Sequence, residues 1–592
     1  MPVRPSFGEV CTTARDCVEY MEPILDILDR AIVRKLIEEL PHELLGRGGC
    51  HGSSVARATL TVARCERCDY ACAQGMSLAH DTVARWMQGR AQVSADGEVV
   101  LGERRGVALV HKLARAYDWI ATQVLVTPYD DIEFGAARSI GRGGTLALHA
   151  GQRWCSFILL PLLALVTGQR LLIIGGPGRG KTSVAMLMAM LVGYPPAEVR
   201  RMVQRGHPQL TVADLLGSPL PSELIRAESA ETVRVAWRRW LTQRVKVIDE
   251  YNRIPTKTQS ALLSLMAEGC AEMFEQVIEV GPSSWYLTAN DDLGGGTFEV
   301  IEALRDRIDA VVRCPPYSGR LLDALAARVG DTGAASGGGS GSAIDDLAPR
   351  DLVLSLAELD RIAAELRALP VPEDVLDALG FFAGQLDFCG RASPRIEYQN
   401  KDTLHIAGRR VAHVCNEDCP LDKQQNLCTQ SESGVSARAY QSVLLLAKAL
   451  AWFRGEVAVS IEDVRALLPW VLHDKLRINP QSAFFTRPEH RVYLTDRVSW
   501  IHQMFDAAMA QRAAYARLRA PIDGLRRDVA GLAACDDDQV AQAMERVRRA
   551  MEKLVDQGEL TAPVHADLLL LKGLHARCQR VLDDRRRSTW PA

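Results

Sequence analysis

A glycine-rich segment with the residue types of a phosphate-binding loop follows a short apolar run. Residues 171–174 are Leu-Leu-Ile-Ile, and the next nine residues read GGPGRGKTS. Glycines let backbone N–H groups turn inward around a β-phosphate, a lysine reaches the β- and γ-phosphates, and a hydroxyl holds Mg²⁺. A helix that begins here directs its N-terminal dipole at the phosphates. The predicted nucleotide ligands are Gly175, Gly176, Pro177, Gly178, Arg179, Gly180, Lys181, Thr182 and Ser183, with Thr182 on Mg²⁺.

A pair of carboxylates follows a second apolar run. Residues 245–248 predict a buried strand, and Asp249 and Glu250 stand at its carboxyl end, where α/β sheets bind ligands. We expect Asp249 to bind Mg²⁺ through water and Glu250 to polarise the attacking water as general base. Such a pair is often part of a solvated turn, but its position 68 residues after Lys181 favours catalysis. The predicted reaction is ATP hydrolysis.

Three further polar residues follow the next predicted strand. Asn290 comes after residues 285–287 and is placed to orient the lytic water, although asparagine there is also a common turn former. Arg305 and Arg307 lie in a short helical segment after a glycine-rich loop at residues 294–296. They are either surface charges of that helix or fingers that reach the γ-phosphate of a neighbouring subunit. In the second case the site is complete only in a ring.

Four cysteines in a polar stretch have the chemistry to bind a soft metal. They are Cys389, Cys415, Cys419 and Cys428, with 25, 3 and 8 residues between them. Four thiolates complete a tetrahedral structural zinc site, and such a metal gives order to a polar loop. The spacing is looser than that of paired Cys-x-x-Cys fingers, and His405 or His413 could replace one ligand. Zinc, an iron–sulfur site and reduced thiols without a metal therefore remain open.

A second group of thiols lies in the N-terminal region. Its members are Cys50, Cys65, Cys68 and Cys72, beside His51. Cys65 and Cys68 form a half-site for zinc, whereas the seven-residue spacing of Cys65 and Cys72 is also typical of a buried helix face. Residues 77–90 (SLAHDTVARWMQGR) are similar to the second helix of a helix-turn-helix, as many capped amphipathic helices are. DNA binding is an alternative that this module leaves open.

The composition is that of a globular protein with several domains. The chain has 592 residues, 70 Lys+Arg against 73 Asp+Glu, and 47% hydrophobic residues. A net charge of −3 argues against coating of nucleic acid by bulk charge. The most apolar run, residues 157–166, is shorter than the ~20 residues that cross a bilayer, and we see no targeting segment. We expect a cytoplasmic protein without a membrane span, in which clustered thiols favour metal over disulfides.

The alternation of apolar patterns divides the chain into regions. Short apolar runs that alternate with longer helical segments predict an α/β core with a parallel sheet and flanking helices. In the remaining regions, apolar residues at helical spacing predict helices, and a Gly/Ser-rich composition predicts a linker. The expected order is a mostly helical domain with a Cys cluster at 1–139, the α/β core at 140–328, a Gly/Ser-rich linker at 329–349, a helical domain at 350–485 with a Cys-bearing insertion at 389–433, and a C-terminal helical region at 490–592.

These segments together resemble AAA+ ATPases of the MoxR branch. Residues 249–269 (DEYNRIPTKTQSALLSLMAEG) are similar to the branch signature nearly residue for residue. Residues 203–217 are similar to the segment ahead of the helix-2 insertion of the branch, and residues 294–308 to the loop and helix after sensor 1. Residues 434–472 resemble the lid, including the motif that carries the sensor 2 arginine. The resemblance covers about residues 140–480.

The resemblance implies an α/β P-loop core with a helical lid, and ATP and Mg²⁺ as cofactors. It assigns Walker A to Lys181 and Thr182, Walker B to Asp249 and Glu250, and sensor 1 to Asn290. It favours Arg307 over Arg305 as the finger, and it makes Arg438 a sensor 2 arginine that faces the phosphates of its own subunit. Two departures from the pattern, Ala437 for proline and Ile308 for phenylalanine, remove no catalytic group.

The resemblance also implies a function. MoxR proteins are regarded as ring-shaped remodelling chaperones, often paired with a von Willebrand factor A protein that selects the client. We therefore expect a homo-oligomer, a hexameric ring, that hydrolyses ATP to remodel or activate protein partners by movement between core and lid. A hairpin within residues 268–281 is a candidate to transmit that movement. The alternative is a nucleic-acid-acting AAA+ motor recruited by the N-terminal module.

Overall fold

The computed structural model of the chain divides into two units, residues 1–104 and 105–592. In the first unit an antiparallel pair of strands, β1 (Ala91–Val93) and β2 (Val99–Leu101), is described. The N-terminal cysteine group and the helix expected at 77–90 lie outside the described residues. These residues are 91–93, 99–101, 105–124, 129–134, 137–140, 144–147, 152–226, 233–290, 298, 300–316, 319, 326, 348–415, 419, 426–532, 535–556 and 560–588.

A five-stranded parallel sheet forms the centre of the second unit. Its strands are β7 (Arg170–Ile174), β8 (Gln204–Arg205), β11 (Val245–Asp249), β14 (Ser284–Ala289) and β15 (Ala310–Arg313). Their order across the sheet is β15–β7–β14–β11–β8, and each neighbouring pair is parallel. The carboxyl ends of all five strands therefore lie at one edge. The predicted parallel α/β core is confirmed.

Helices cover the sheet on both faces. They are α1 (Arg105–Val124), α2 (Ser156–Thr167), α3 (Lys181–Leu191), α4 (Pro196–Met202), α5 (Val212–Leu216), α6 (Pro221–Arg226), α7 (Thr256–Glu268) and α8 (Glu302–Arg307). The most apolar run of the sequence is α2, and its residues 156–166 are all buried. The Tyr286 hydroxyl donates to the Pro161 carbonyl at 2.8 Å, which fixes α2 against β14. None of the helices within the described ranges is long and apolar enough to cross a membrane.

The second unit also contains antiparallel strand pairs that are separate from the five-stranded sheet. They are β3 (Ile132–Glu133) with β6 (Arg153–Trp154), β4 (Ala137–Ile140) with β5 (Gly144–Ala147), β9 (Gly217–Pro219) with β10 (Val235–Trp237), and β12 (Cys270–Met273) with β13 (Gln276–Glu279). The hairpin expected within residues 268–281 is confirmed as β12–β13. Its turn residues Phe274 and Glu275 have φ of 51° and 60°, a backbone conformation that glycine or asparagine usually adopts.

The lid packs beside the sheet and shares a hydrophobic core with it. Its helices are α9 (Leu356–Ala368), α10 (Glu373–Asp387), α11 (Lys401–Ile406), α12 (Val411–Val414), α13 (Ala437–Phe453) and α14 (Ile461–Leu472). Apolar residues of α13 and α14, such as Leu446 and Leu467, belong to the same buried cluster as Leu160 of α2. The serines that precede α9, α13 and α14 each accept a hydrogen bond from the first turn, so these helix starts are capped.

Three helices form the C-terminal region, as predicted. They are α15 (Arg497–Ala530), α16 (Asp537–Asp556) and α17 (Ala562–Ser588). The first part of α15 packs on the lid through Trp500 and Phe505, whereas its second part joins α16 and α17 around a separate apolar core. Pro521 lies inside α15. Because α15 belongs to both cores, it connects the lid to the bundle.

Candidate functional site

The predicted phosphate-binding loop lies between β7 and α3, and the strand, loop and helix follow each other as expected. Gly178 and Gly180 have φ of 73° and 78°, values that residues with a Cβ atom rarely adopt. At Gly175 a Cβ atom would stand 2.8 Å from the Cβ of Cys314, so this glycine is also required by the chain that follows β15. The glycines therefore permit the turn that exposes the first N–H groups of the 11-residue helix α3.

Lys181 is held inside this loop. Its Nζ donates to the carbonyl oxygens of Gly175 and Gly176 at 2.6 and 2.8 Å, and to Oδ1 of Asn290 at 2.7 Å. The side chain is buried. These contacts bring the lysine of the loop and the asparagine at the end of β14 together, although they are 109 residues apart in the chain. A lysine in this position supplies a positive charge to the phosphates.

A hydroxyl and a carboxylate meet beside the loop. Thr182 Oγ1 donates to Oδ1 of Asp249 at 2.7 Å, which joins the start of α3 to the carboxyl end of β11. Hydroxyl and carboxylate oxygens are ligands that Mg²⁺ accepts, usually together with water and phosphate oxygens. The two residues thus fit the magnesium role that the sequence predicts for them. A bound Mg²⁺ would neutralise charge on the phosphates at this point.

Glu250 is turned back toward the site by its backbone. Its φ is 54°, in the left-handed region, and its Oε1 accepts a hydrogen bond from Nδ2 of Asn290 at 3.0 Å. Arg253 pairs with the other carboxylate oxygen at 3.4 Å. A non-glycine residue in this conformation carries a backbone strain that the surrounding contacts must overcome. The geometry gives a carboxylate, a polarising amide and the P-loop lysine in one connected group.

Three residues of this site were not identified from the sequence. Thr288 donates to Asp249 Oδ1 at 2.6 Å and accepts from the Glu250 N–H at 3.0 Å, so it fixes the Asp249 carboxylate and the backbone of Glu250. It lies two residues before Asn290, and strand alternation places both on one face, a signal that was available. In the sequence, Arg253 is recognisable only as a charged residue. At Gly206 a Cβ atom would overlap the Glu250 carbonyl, which no pattern in a single sequence reveals.

Replacing Thr288 with valine should slow hydrolysis while nucleotide binding persists. The change keeps the shape but removes the donor to Asp249 and the acceptor of the Glu250 N–H. Losing a hydrogen bond to a charged group costs roughly 1.5–3 kcal/mol, so we expect kcat to fall about tenfold or more. Steady-state ATPase assays and fluorescent-nucleotide titration measure the two effects. The control is Thr242→Val. Thr242 is exposed, and its hydroxyl donates to the carbonyl of the nearby Arg239. Equal kcat in both variants would contradict this role.

The structure does not bring Arg307 to the P-loop of its own chain. The Arg307 carbonyl accepts from Nη1 of Arg170 at 3.3 Å, and Arg170 is the first residue of β7. The P-loop follows the other end of this five-residue strand, which lies roughly 15 Å away at about 3.3 Å per residue. The Arg307 guanidinium itself donates back to the Ala303 carbonyl at 3.0 Å. Arg307 therefore lies at the amino edge of the sheet.

Arg305, the second finger candidate, points toward the lid. Its Nη2 donates to the Val300 carbonyl at 3.2 Å. Burial alone would raise the pKa of Asp474, but the hydrogen bond from His473 and the nearby charges of Arg497 and Arg305 lower it below its usual value. The guanidinium of Arg305 is thus close to a carboxylate that follows α14. This neighbourhood is part of the lid contact and not of the P-loop.

The expectation that Arg438 faces the phosphates of its own subunit is wrong. Arg438 Nη1 donates to Asp306 Oδ2 at 2.5 Å, and Ser436 donates to the other oxygen of Asp306 at 2.8 Å. Asp306 immediately precedes Arg307, at the amino edge. One turn further along α13, Ser442 donates to Asp309, which also binds the backbone N–H of Arg170. Because the first residues of α13 contact Asp306 and Asp309 at the amino edge, the start of α13 lies at the edge opposite the P-loop.

The four cysteines of the insertion line one small cavity. Cys389, Cys415, Cys419 and Cys428 surround a space of about 20 Å³. His405, considered as a substitute ligand, instead shares a hydrogen bond with the Glu432 carbonyl and lines a separate cavity of about 980 Å³. In the part of the chain that the structure describes, no three Cys, His, Asp or Glu side chains already stand in metal-binding geometry. The same part contains no disulfide.

Two family models match segments of the chain that contain this site and the lid. The family "ATPase family associated with various cellular activities (AAA)" matches residues 170–309, and the "AAA lid domain" matches residues 423–492. Among solved structures, the chain is similar to a candidate ATPase from Cytophaga hutchinsonii, with 17% identity, a TM-score of 0.41, and coverage of 66% of this chain and 94% of that one. No curated protein matches. The first matched segment contains the P-loop, both carboxylates and Asn290, so residues 170–309 are identified as an AAA ATPase domain and residues 423–492 as an AAA lid domain.

Proposed function

We propose that this chain is a MoxR-type AAA+ ATPase that assembles into a homohexameric ring and uses ATP hydrolysis to remodel or activate a protein client. One observation carries the proposal. The P-loop, Asp249, Glu250 and Asn290 meet at the carboxyl edge of the sheet, whereas Arg307 and Arg438 lie at the amino edge. A single subunit thus holds the two parts of an ATPase site on opposite edges.

The distance between the edges decides how the arginines could act. An arginine side chain reaches about 7 Å, roughly half of the length of β7. Arg307 is therefore unable to contact the γ-phosphate in its own P-loop without unfolding α8. An arginine from an adjacent subunit could do so if the amino edge of one chain faces the carboxyl edge of the next. Repetition of this head-to-tail contact closes into a ring.

Within each site, the proposed roles follow from the contacts. Lys181 carries positive charge to the phosphates, and Thr182 and Asp249 hold Mg²⁺. Glu250 accepts the proton of the attacking water, and Asn290 orients both Glu250 and that water. Arg307 from the neighbour, with Arg305 as the second candidate, balances the charge that develops on the γ-phosphate. Arg438, on the same edge, is proposed to serve the neighbour's phosphates as well.

Two hairpins offer a surface for the client. At the tip of β12–β13, Phe274 is 42% exposed and Val277 is 60% exposed. The Gln276 side chain donates to the Val233 carbonyl and accepts from the Val235 N–H, which connects this hairpin to β9–β10. Exposed apolar side chains on linked hairpins can contact an unfolded segment of another protein. We propose these hairpins as the client-contacting elements, with a von Willebrand factor A protein as the selecting partner.

The remaining elements of the proposal concern organisation. The five regions expected from the sequence, from 1–139 to 490–592, are proposed as functional modules, with residues 105–139 belonging structurally to the second unit. The N-terminal cysteines are proposed as a zinc-binding group, and the cytoplasm as the location of the protein.

We expect oligomerisation to be coupled to nucleotide. Full-length protein should sediment as a hexamer with a slowly hydrolysed ATP analogue, and its ATPase activity per subunit should rise with protein concentration, because each site needs two chains. Sedimentation velocity and a dilution series measure both. Activity should increase further with a protein client, whereas activation by DNA would favour the nucleic-acid motor. A monomer that retains full activity on dilution would rule out the ring.

A further inference from the structure

The four cysteines of the insertion come from three separate stretches of chain. Cys389 follows α10, Cys415 follows α12, Cys419 lies a few residues beyond, and Cys428 belongs to the 3₁₀ turn Leu427–Thr429. All four line the same cavity. Cys428 is close enough for electrostatic interaction with each of the other three, and Cys389 with Cys419. Folding has therefore collected thiols that are up to 39 positions apart.

The cavity is of the size of a single ion. Its volume is about 20 Å³, and roughly 10–15 Å³ is the space that one water-sized probe requires. A cluster of several iron and sulfur atoms does not fit this space without displacement of its walls. Four thiol ligands and one small centre match a tetrahedral site, for which Zn²⁺ is the common occupant.

A buried lysine forms part of the cavity wall. Lys401 is 1% exposed, and its Nζ donates to the carbonyl and the hydroxyl of Ser431 at 2.9 and 2.7 Å. A buried ammonium group is costly unless negative charge lies nearby. Asp387 is one such charge within reach. A Zn²⁺ ion with four thiolates carries a net charge of −2, which one ammonium group, that of Lys401, would partly offset.

The thiols divide equally between two small apolar clusters. Cys419 and Cys428 pack with Phe388 and with Ala562 of α17, whereas Cys389 and Cys415 pack with Leu404, Val411 and Val414 of the insertion helices. Each cluster has only a few buried residues and supplies little hydrophobic stabilisation by itself. A centre bound by two thiols from each cluster would join them and would fix the insertion next to the C-terminal bundle.

We infer that the insertion between α10 and α13 is closed by one structural Zn²⁺ ion bound by Cys389, Cys415, Cys419 and Cys428. Binding replaces the protons of the four thiols, which are released to solvent, and the ion is neither oxidised nor reduced. The four side chains would have to turn toward the cavity to complete the tetrahedron, because the described thiols do not already stand in metal-binding geometry. The ion orders the insertion and does not take part in ATP hydrolysis.

The metal content of full-length variants tests this site. The experiment is done in a Cys65→Ser/Cys68→Ser background, so that the N-terminal thiols contribute no complete site. In that background, the protein should contain one zinc per chain by elemental analysis, and adding Cys415→Ser and Cys419→Ser should remove it. Cys535→Ser, a cysteine of the C-terminal region outside the cavity, is the matched control and should keep the zinc. Equal zinc with and without Cys415 and Cys419 would overturn the assignment, as would iron with acid-labile sulfide.

A second measurement avoids the risk that the double variant fails to fold. The background protein is depleted of metal with a chelator and then given Co²⁺, which reports its ligands by visible absorption. Intense bands of tetrahedral thiolate-bound cobalt, at one equivalent and abolished by excess Zn²⁺, are expected. Weak bands typical of water or oxygen ligands would contradict a four-thiolate site. Lys401→Met should lower the affinity for Zn²⁺ at least tenfold in a competition titration with a chromophoric chelator, and an unchanged affinity would exclude the charge-balancing role.

Discussion

The Glu250→Gln variant is expected to bind ATP normally and to hydrolyse it at least 10²-fold more slowly than the wild type. The replacement keeps an oxygen that can accept the hydrogen bond from Asn290, so the site keeps its shape. It removes the carboxylate that accepts the proton of the attacking water, and it breaks the ion pair with Arg253. The residues proposed to bind the nucleotide and Mg²⁺, which are Lys181, Thr182 and Asp249, are unchanged in this variant. Single-turnover hydrolysis and nucleotide titration separate the two effects.

A surface glutamate provides the control for this prediction. Glu268 ends α7 and is exposed, so Glu268→Gln makes the same chemical change away from the P-loop. Its turnover should equal that of the wild type. If Glu250→Gln retains more than a tenth of the wild-type rate, the general base is another group and the assignment of Glu250 fails.

The second large effect is expected for Arg307→Ala, with recovery when it is mixed with Lys181→Ala. Arg307→Ala should lose roughly 10³-fold in kcat, because a finger arginine balances the charge that develops in the transition state. Lys181→Ala should lose activity through weaker nucleotide binding. In rings formed from equal amounts of both, about one interface in four joins an intact P-loop to an intact arginine. ATPase assays on unmixed and mixed samples should therefore show recovery to a fraction of wild-type activity.

The control for the arginine is Arg548 on the surface of α16, where it pairs with Glu545 at 2.7 Å. Arg548→Ala should be as active as the wild type, and in an equal mixture with Lys181→Ala about one interface in two should be active, because every interface keeps Arg307 and only the P-loop differs. If Arg307→Ala alone keeps near-normal turnover, Arg305 is the next candidate for the finger. If mixing fails to restore activity although mixed rings are detected by mass spectrometry, the two halves of the site belong to one chain.

The parts of the site that the sequence predicted best are those built from short, continuous segments of the chain. The P-loop and the acidic pair are short runs of consecutive residues at the ends of single strands, so local strand and loop patterns identify them. Asn290 lies 109 residues from Lys181, yet it was predicted because parallel strands end at a common edge. The parallel sheet followed from the same alternation of patterns.

The arginines show where sequence patterns are insufficient. Arg438 was assigned to its own phosphates through resemblance alone, and nothing in residues 434–472 states on which side of the sheet the lid packs. That side is decided by the burial of α2 between the sheet and α13, and by Asp306 and Asp309 at the amino edge. Such contacts join residues that are more than 100 positions apart, and a single sequence does not encode them in any local pattern.

The position of α2 has a consequence for how the subunit responds to force and heat. Since core and lid share the apolar cluster that contains α2, separating them would expose residues from both at once, and the two should melt in one cooperative transition. The second half of α15 with α16 and α17 has its own core and can melt separately. A subunit of this kind resists internal hinge bending. In the proposed ring, mechanical work from hydrolysis would then be expressed as rotation of whole subunits against their neighbours, which differs from the movement between core and lid that the resemblance implies.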